Sequence, residues 1–166
     1  MVRRDFGSLF LLALVALVLI RPWEQVHLGG PPPRSAGAWV LRAVDGDTIE
    51  VLVDGEREDV RYIGVDTPET VKPDTPVQCF GPQASAFNHH LVEGRRVRLV
   101  FGVERRDVYG RLLAYVYLDD RFVNAELVRR GLARTLTIPP NDRFAERFKR
   151  LQMAAARGGR GLWGGC

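Results

Sequence analysis

The sequence predicts an α+β domain, a small barrel of antiparallel strands with helices packed against it, and three observations lead there. Strand-like segments crowd the region after residue 38 and helical periodicity appears later, without the regular alternation of a parallel sheet. Asp54-Gly55, between two alternating segments, is a two-residue hairpin signal and makes its flanking strands antiparallel. The chain of 166 residues, 46% hydrophobic and 27% charged, has ordinary globular composition and room for one domain with a respectable core.

The amino end stands apart from that domain. Phe6 to Ile20 carries no charge and follows Arg3 and Arg4, the layout of a positive n-region and an apolar h-region. It predicts a signal peptide or signal anchor over residues 1–21. Its length favours a signal peptide, since a comfortable span takes roughly 20 apolar residues. The lack of a small-x-small site directly after Ile20 favours an uncleaved anchor, and weighs more. The leading arginines place the amino terminus inside and the remaining chain outside, an extracytoplasmic location with membrane attachment, or secretion if cleaved. Residues 22–37, with Pro31 to Pro33, read as a Pro/Gly-rich linker stiffened as polyproline II. The folded domain is expected over 38–166, its first strand near Trp39.

"AWVLRAV" and the two halves of "TIEVLVDGEREDVRYIGV" alternate as three meandering strands. "GPQASAFNHHLVEG" reads as a helix: Pro82 sits in its first turn, Ala84, Phe87 and Leu91 share a face, and Gly94 ends it. "RRVRLVF" and "LLAYVYL" are further strands, turned back at Asp119-Asp120 into "RFV". "NAELVRRGL" is a short helix with Asn124 as N-cap and Gly131 as stop. The last helix follows Pro139-Pro140 with Asn141 as cap, and carries Phe144, Phe148 and Leu151 at helical spacing. That gives about five strands and three helices.

The net charge of +4 permits a polyanionic partner without demanding one. Arginine outnumbers lysine 22 to 2, which fits genome composition as readily as phosphate binding. The acids are more telling. "VDGDTIEV" sets Asp45 and Asp47 at a tight turn, with Gly46 between them for unusual backbone angles. Alone this is a turn whose aspartates bond their own backbone, and "DTPE" alone is a structural corner. In combination, the third strand carries Arg61 near its start and Asp66 at its end, and a meander brings that end beside the first turn. Two carboxylates, a backbone carbonyl and water make an oxygen-only site for a hard divalent cation. Arg111, in "DVYGR", is either an exposed turn arginine or, with Arg61, half of a phosphate clamp.

"VDGDTIEV", "RYIGVDTPET", "YGRLLAYVY" and "VNAELVRRGLA" together resemble the motifs of the staphylococcal (thermonuclease) nuclease family, in order and at matching spacing from about Trp39 to Trp163. The resemblance implies an OB-fold barrel of five strands with three helices, and a calcium-dependent endonuclease acting on DNA and RNA, cutting the 5′ P–O bond to leave 3′-phosphate ends. Carried over by motif, it implies Asp47 and Asp66 as carboxylate calcium ligands, with Thr67 lending a main-chain oxygen. Glu69 matches the general base on the attacking water, Arg61 and Arg111 the phosphate-binding arginines, and Tyr109 a tyrosine close to a substrate phosphate.

The chemistry asks for those residue types. A phosphodiester is an anion that repels hydroxide, so a metal and two guanidiniums must neutralise charge growing on the equatorial oxygens. The chain departs from the family's best-known member in "RTLTIPPN", which lacks its base-pocket tyrosines, and in "VKPDTPVQC", which is poorer in lysine. Both departures weaken the expected grip on base and backbone.

Cys79 and Cys166 are the only cysteines, and in an exported domain a bridge between them would pin the carboxyl tail across the body. A free terminal thiol or an intermolecular link are the other readings. His27, His89 and His90 join no cluster of acids or cysteines and read as surface residues. Two other classes compete: a non-catalytic OB-fold nucleic-acid-binding module, and a structural envelope protein. The first would tolerate loss of an acid or arginine, yet Asp47, Arg61, Asp66, Glu69 and Arg111 all stand. The second requires none of them. No protein partner is expected.

Overall fold

A computed structural model describes residues 34–70 and 76–166 of the chain. The expected export segment, the linker up to residue 33 and five residues of the loop after Glu69 lie outside these described residues.

Strands β1 (Ser35–Ala43), β2 (Thr48–Val53) and β3 (Glu56–Tyr62) form the expected meander. The β2–β3 hairpin turns at Asp54 and Gly55, both at positive φ (52° and 85°), as a primed two-residue turn demands. β1 begins at Ser35, ahead of the expected Trp39. Small residues there continue the ladder onto β5 (Arg96–Arg106), with Ser35 opposite Val100 and Gly37 opposite Arg98. β6 (Leu112–Leu118) pairs antiparallel with β5, and the short β7 (Arg121–Phe122) follows a turn at Asp119.

The barrel is not wholly antiparallel as the sequence suggested. β3 and β6 pair in parallel, Val60 opposite Leu112 and Tyr62 opposite Ala114, and that pairing closes five strands into a ring. Chain neighbours are antiparallel because hairpins join them; closure joins strands remote in sequence, which a hairpin signal cannot report. A separate ribbon pairs β4 (Val65–Asp66) with β8 (Arg134–Thr135).

Alternation fills the interior with Val40, Ile49, Val51, Val60, Leu99 and Val116, all fully buried. Helix α1 (Gly81–Val92) adds Ala84, Leu91 and Val92 to that core, α2 (Val123–Arg129) adds Leu127 and Val128, and α3 (Ala145–Arg157) adds Phe148. A short α4 (Leu162–Gly165) follows. The Phe148 ring lies so close over Gly64, at φ 81°, that a Cβ there would sit 2.4 Å from it. That contact binds α3 to the β3–β4 turn.

Two expected caps have other duties. Asn124 caps nothing: α2 starts one residue earlier, and the fully buried amide accepts from the Val116 N–H at 2.9 Å and donates to the Ile63 carbonyl at 2.9 Å. Asn141 lies well before α3 and is bonded to both backbone groups of Glu104, at 3.1 and 2.9 Å. It braces the irregular stretch of β5, where the ladder with β6 skips from Phe101 to Arg106. Both amides satisfy backbone that the ladder leaves open.

Candidate active site

Three turns at one end of the barrel meet, and each presents charge. The β1–β2 turn holds Asp45 and Asp47. The Asp45 carboxylate accepts from the Asp47 N–H at 2.9 Å, and its carbonyl accepts from Asn88 of α1 at 2.9 Å. Asn88 in turn receives the buried Tyr62 hydroxyl, so helix and barrel together fix the turn. Burial of that hydroxyl raises the Tyr62 pKa and keeps it a neutral donor.

Thr48 pairs with Arg61 across β2 and β3, which places Arg61 beside Asp47. The Arg61 guanidinium bridges the two acids: Nη1 contacts the Asp47 carboxylate and Nη2 contacts Asp66 at 2.8 Å. Asp47 is only 2% exposed, and its second oxygen accepts from the Thr67 N–H at 2.7 Å and the Thr67 hydroxyl at 3.0 Å. Asp47 and Asp66, on different turns, thus converge on one cationic group. Gly46 is not at positive φ, contrary to the expectation of unusual angles. It is glycine for space, because a Cβ there would lie 2.7 Å from the Thr67 hydroxyl and 2.8 Å from its Cβ.

The third turn joins β5 to β6. Parallel pairing of β3 and β6 sets Leu113 opposite Arg61, so Arg111 reaches the same end of the barrel. Asp107 organises it, with one oxygen accepting from the N–H groups of Tyr109 and Arg111 and the other from Arg111 Nε at 2.7 Å. Tyr109 is 81% exposed, with the Arg111 guanidinium 5.3 Å from its ring centre. Glu69 is held through its backbone: its N–H donates to the Gln78 side chain at 3.1 Å and its carbonyl accepts from the Gln78 N–H at 2.9 Å. One Glu69 carboxylate oxygen accepts from the Thr70 N–H.

Asp47, Arg61, Asp66, Thr67, Glu69, Tyr109 and Arg111 therefore line one open depression of about 600 Å³. Burial lowers the Arg61 pKa most, opposed by Asp66 and Asp45 and reinforced by the nearby Arg111, yet guanidinium remains charged in proteins. Burial also raises Asp45, with Arg61 opposing. Five carboxylates, of Asp45, Asp47, Asp59, Asp66 and Glu69, and the two guanidiniums line the depression, so acids outnumber arginines in its wall.

Sequence reasoning missed Asp107, Asn88 and Gln78. Asp107 stands two and four residues before the N–H groups it accepts from, an Asx-turn signature legible in "DVYGR". Asn88 reaches Asp45 across 43 residues and Gln78 reaches Glu69 across nine, and neither belongs to a local turn or capping pattern. A second cavity of about 340 Å³ shares Arg61, Tyr109 and Arg111 with the depression and is walled by Ile63, Leu136 and Ile138. The segment without tyrosines thus supplies aliphatic walls beside the charged site. Cys79 and Cys166 are disulfide-bonded, with Cα atoms 6.1 Å apart, which ties the residue after Gln78 to the carboxyl end. His89 and His90 are exposed, His89 paired with Glu93, and His27 is outside the described residues.

Among the described residues, no group of three or more histidine, cysteine, aspartate or glutamate side chains is placed to hold a metal. A cation here would depend on the two convergent carboxylates, main-chain oxygen and water. That donor set is all oxygen and suits a hard divalent ion.

Residues 59–165 match the family described as "Staphylococcal nuclease homologue". The chain is 42% identical over 162 residues to the "Thermonuclease" of Staphylococcus intermedius, covering 94% of this chain and 95% of that protein. It is 44% identical over 161 residues to the "Thermonuclease" of Staphylococcus hyicus, covering 92% and 95%. It is also 44% identical over 124 residues to "Endonuclease YncB" of Bacillus subtilis, covering 74% of this chain and 59% of that protein. The family match takes in Arg61, Asp66, Glu69 and Arg111, the two thermonucleases are matched over more than nine-tenths of the chain, and the chain belongs to the staphylococcal nuclease family.

Proposed function

We propose that this member of a nuclease family is a calcium-dependent endonuclease that hydrolyses phosphodiester bonds of DNA and RNA, cleaving the 5′ P–O bond to leave 3′-phosphate ends. The observation that carries the reading is the gathering of Asp47, Arg61, Asp66, Glu69 and Arg111, from separate turns, around one open depression. Nothing in the barrel's stability requires three acids and two arginines to meet there.

Asp47, Asp66 and the Thr67 main-chain oxygen would hold calcium, whose chemistry is to neutralise phosphate charge and orient water. The chain's own groups do the rest. Arg61 exchanges its carboxylate partners for non-bridging phosphate oxygens, and Arg111 donates from the opposite side with its Nε fixed by Asp107. Both guanidiniums stabilise the transition state most, since negative charge is greatest there. Glu69, anchored through Gln78, accepts the proton of the attacking water. Tyr109 sits beside the phosphate, and the aliphatic cavity takes a base without aromatic stacking. The uncharged 6–20 segment behind Arg3 and Arg4 supports an extracytoplasmic enzyme, attached to or released from the membrane.

The test is digestion of single-stranded DNA and of RNA by the full-length protein, with calcium or with chelator, beside a Glu69→Gln, Arg111→Ala double variant. Calcium-dependent cutting that the variant loses, with 3′-phosphate ends on the products, is the expected result. No cutting by the intact protein, with binding retained, would make it a binding module instead.

A further inference from the structure

Some arginines of this chain are paired with acids: Arg42 and Arg57 share Glu50, Arg106 binds Glu58 at 2.6 Å, and Arg129 and Arg130 share Glu126. Others, on several faces of the domain, are not. On the outer face of β5 and the neighbouring α3, Arg96, Arg98 and Arg147 have no ion-pair partner among the described residues. Two of these three are seated on aromatic rings. Arg98 lies 4.4 Å over Tyr117, Tyr117 stacks on Phe122 at 4.6 Å and 13°, and Arg147 lies 5.2 Å from the Phe122 ring centre. Arg96 is on the same face of β5, two residues from Arg98, and pairs across the ladder with Trp39, which is 50% exposed.

A guanidinium laid on a ring has its plane fixed and its N–H edges free, so little side-chain freedom is lost when it takes a phosphate. A half-exposed tryptophan beside such groups offers a stacking platform to any base. We infer that Trp39, Arg96, Arg98, Tyr117 and Arg147 form a second contact surface for the single-stranded polynucleotide substrate, holding the strand outside the cleavage site. The inference rests on the nuclease reading above and extends it. Leu113, Tyr115 and Tyr117 alternate on one face of β6, which begins just after Arg111; Tyr115 is covered by Phe144. The band thus begins roughly 17 Å along that strand from Leu112, at about 3.3 Å per residue, beyond the segment that covers Tyr115. Only a strand of several nucleotides would reach both places.

Two substrates separate the surfaces: a dinucleotide, which fills the cleavage site alone, and an oligonucleotide of about 30 residues, longer than the roughly 4–16 nucleotides one such barrel covers. An Arg96→Gln, Arg98→Gln, Arg147→Gln variant of the full-length protein is expected to keep kcat and KM on the dinucleotide. Its KM on the long strand should rise about tenfold. The dependence of log KM on log salt should become shallower by about 2, from ~0.7 per lost single-strand phosphate contact. The matching Lys variant restores most of that slope, and Trp39→Ala raises the long-strand KM without changing it. Binding of the long strand under chelator, read by fluorescence anisotropy, gives the same comparison without catalysis, so a failure of the nuclease reading leaves this one testable. An unchanged long-strand KM and salt slope in the Gln variant would overturn the inference. So would loss of binding to vesicles containing anionic phospholipid while long-strand binding stays intact, which would assign the band to a membrane surface.

Discussion

Gly46→Ala is the substitution that separates the two explanations of the acidic turn. The residue is not at positive φ, so alanine meets no backbone penalty there. Its Cβ would lie 2.7 Å from Thr67 Oγ1 and 2.8 Å from Thr67 Cβ and Cγ2. The near end of a β-branched side chain cannot rotate away, so the β1–β2 turn and the segment after β4 must part. Overpacking of that kind costs ~1–3 kcal/mol. Parting them also stretches the two bonds from Thr67 to the buried Asp47 carboxylate, at 2.7 and 3.0 Å, which adds ~1–3 kcal/mol for a poorly satisfied buried acceptor. The sum is ~2–6 kcal/mol, or roughly 8–24 °C in Tm at about 4 °C per kcal/mol for a domain of this size. Thermal unfolding by circular dichroism measures it. The control is the same substitution in a Thr67→Gly background, where the obstructing side chain is gone and alanine should cost under ~1 kcal/mol. An equal fall in Tm in both backgrounds would refute the spatial argument and return Gly46 to a backbone role.

The other predictions concern the supports of the site. Asn124→Ala orphans the Val116 N–H and the Ile63 carbonyl in the core, and should cost ~2–5 kcal/mol in urea unfolding. Replacing Cys79 and Cys166 with serine opens a closure spanning 87 residues, for which chain entropy predicts a loss of ~4–5 kcal/mol; an unchanged denaturation midpoint would remove the disulfide from the stability account. Glu58 and Glu126 are held below the usual carboxylate range chiefly by hydrogen bonds from Arg106 and Arg129. Their stabilisation is complete above the ordinary glutamate value near 4.3 and is lost as pH falls through the lower folded value, so a Glu58→Gln, Glu126→Gln variant should show a flatter stability curve below about pH 4.5. Asp107→Asn keeps an acceptor for the turn but weakens the hold on Arg111 Nε, and should lower kcat on DNA by tenfold or more while Tm changes little.

The strands, the three main helices and the carboxylate and arginine motifs were legible because each is announced locally. Asp54-Gly55 names its turn, Gly131 its helix stop, and "DGDT" and "DTPE" their acids. What was not legible depends on closure. The parallel β3–β6 pairing decides that Arg111 comes near Arg61, and no local pattern in either strand reports it. Asn124 and Asn141 were read as caps because asparagine before a helical segment usually is one. Each instead spends its amide on a distant backbone gap, Ile63 in one case and Glu104 in the other. Gly46 was assigned to backbone freedom because its reason, the Thr67 side chain, lies 21 residues away.

These two asparagines and Asn88 explain how the site can give up its ion pairs without losing its shape. Asn88 holds the Asp45 turn to α1, Asn124 holds the β3–β4 turn to β6, and Asn141 holds the irregular end of β5 that leads to Asp107. All three are buried and all three are neutral. A framework of ion pairs would have set its own charges against any ligand arriving between Asp47 and Asp66, and would have weakened as that ligand bound. Amide supports carry no such coupling. The turns stay fixed while Arg61 is free to leave the carboxylates for a phosphate. The separation has a measurable consequence: Asp66→Asn, which removes one of the two acids bridged by Arg61 and is 54% exposed at its side chain, should leave Tm within ~4 °C of the parent, the scale of a surface pair worth under ~1 kcal/mol. The same variant should lose calcium-dependent cleavage. A large fall in Tm would instead make the Arg61 bridge part of the framework, and the division between neutral supports and exchangeable charges would fail.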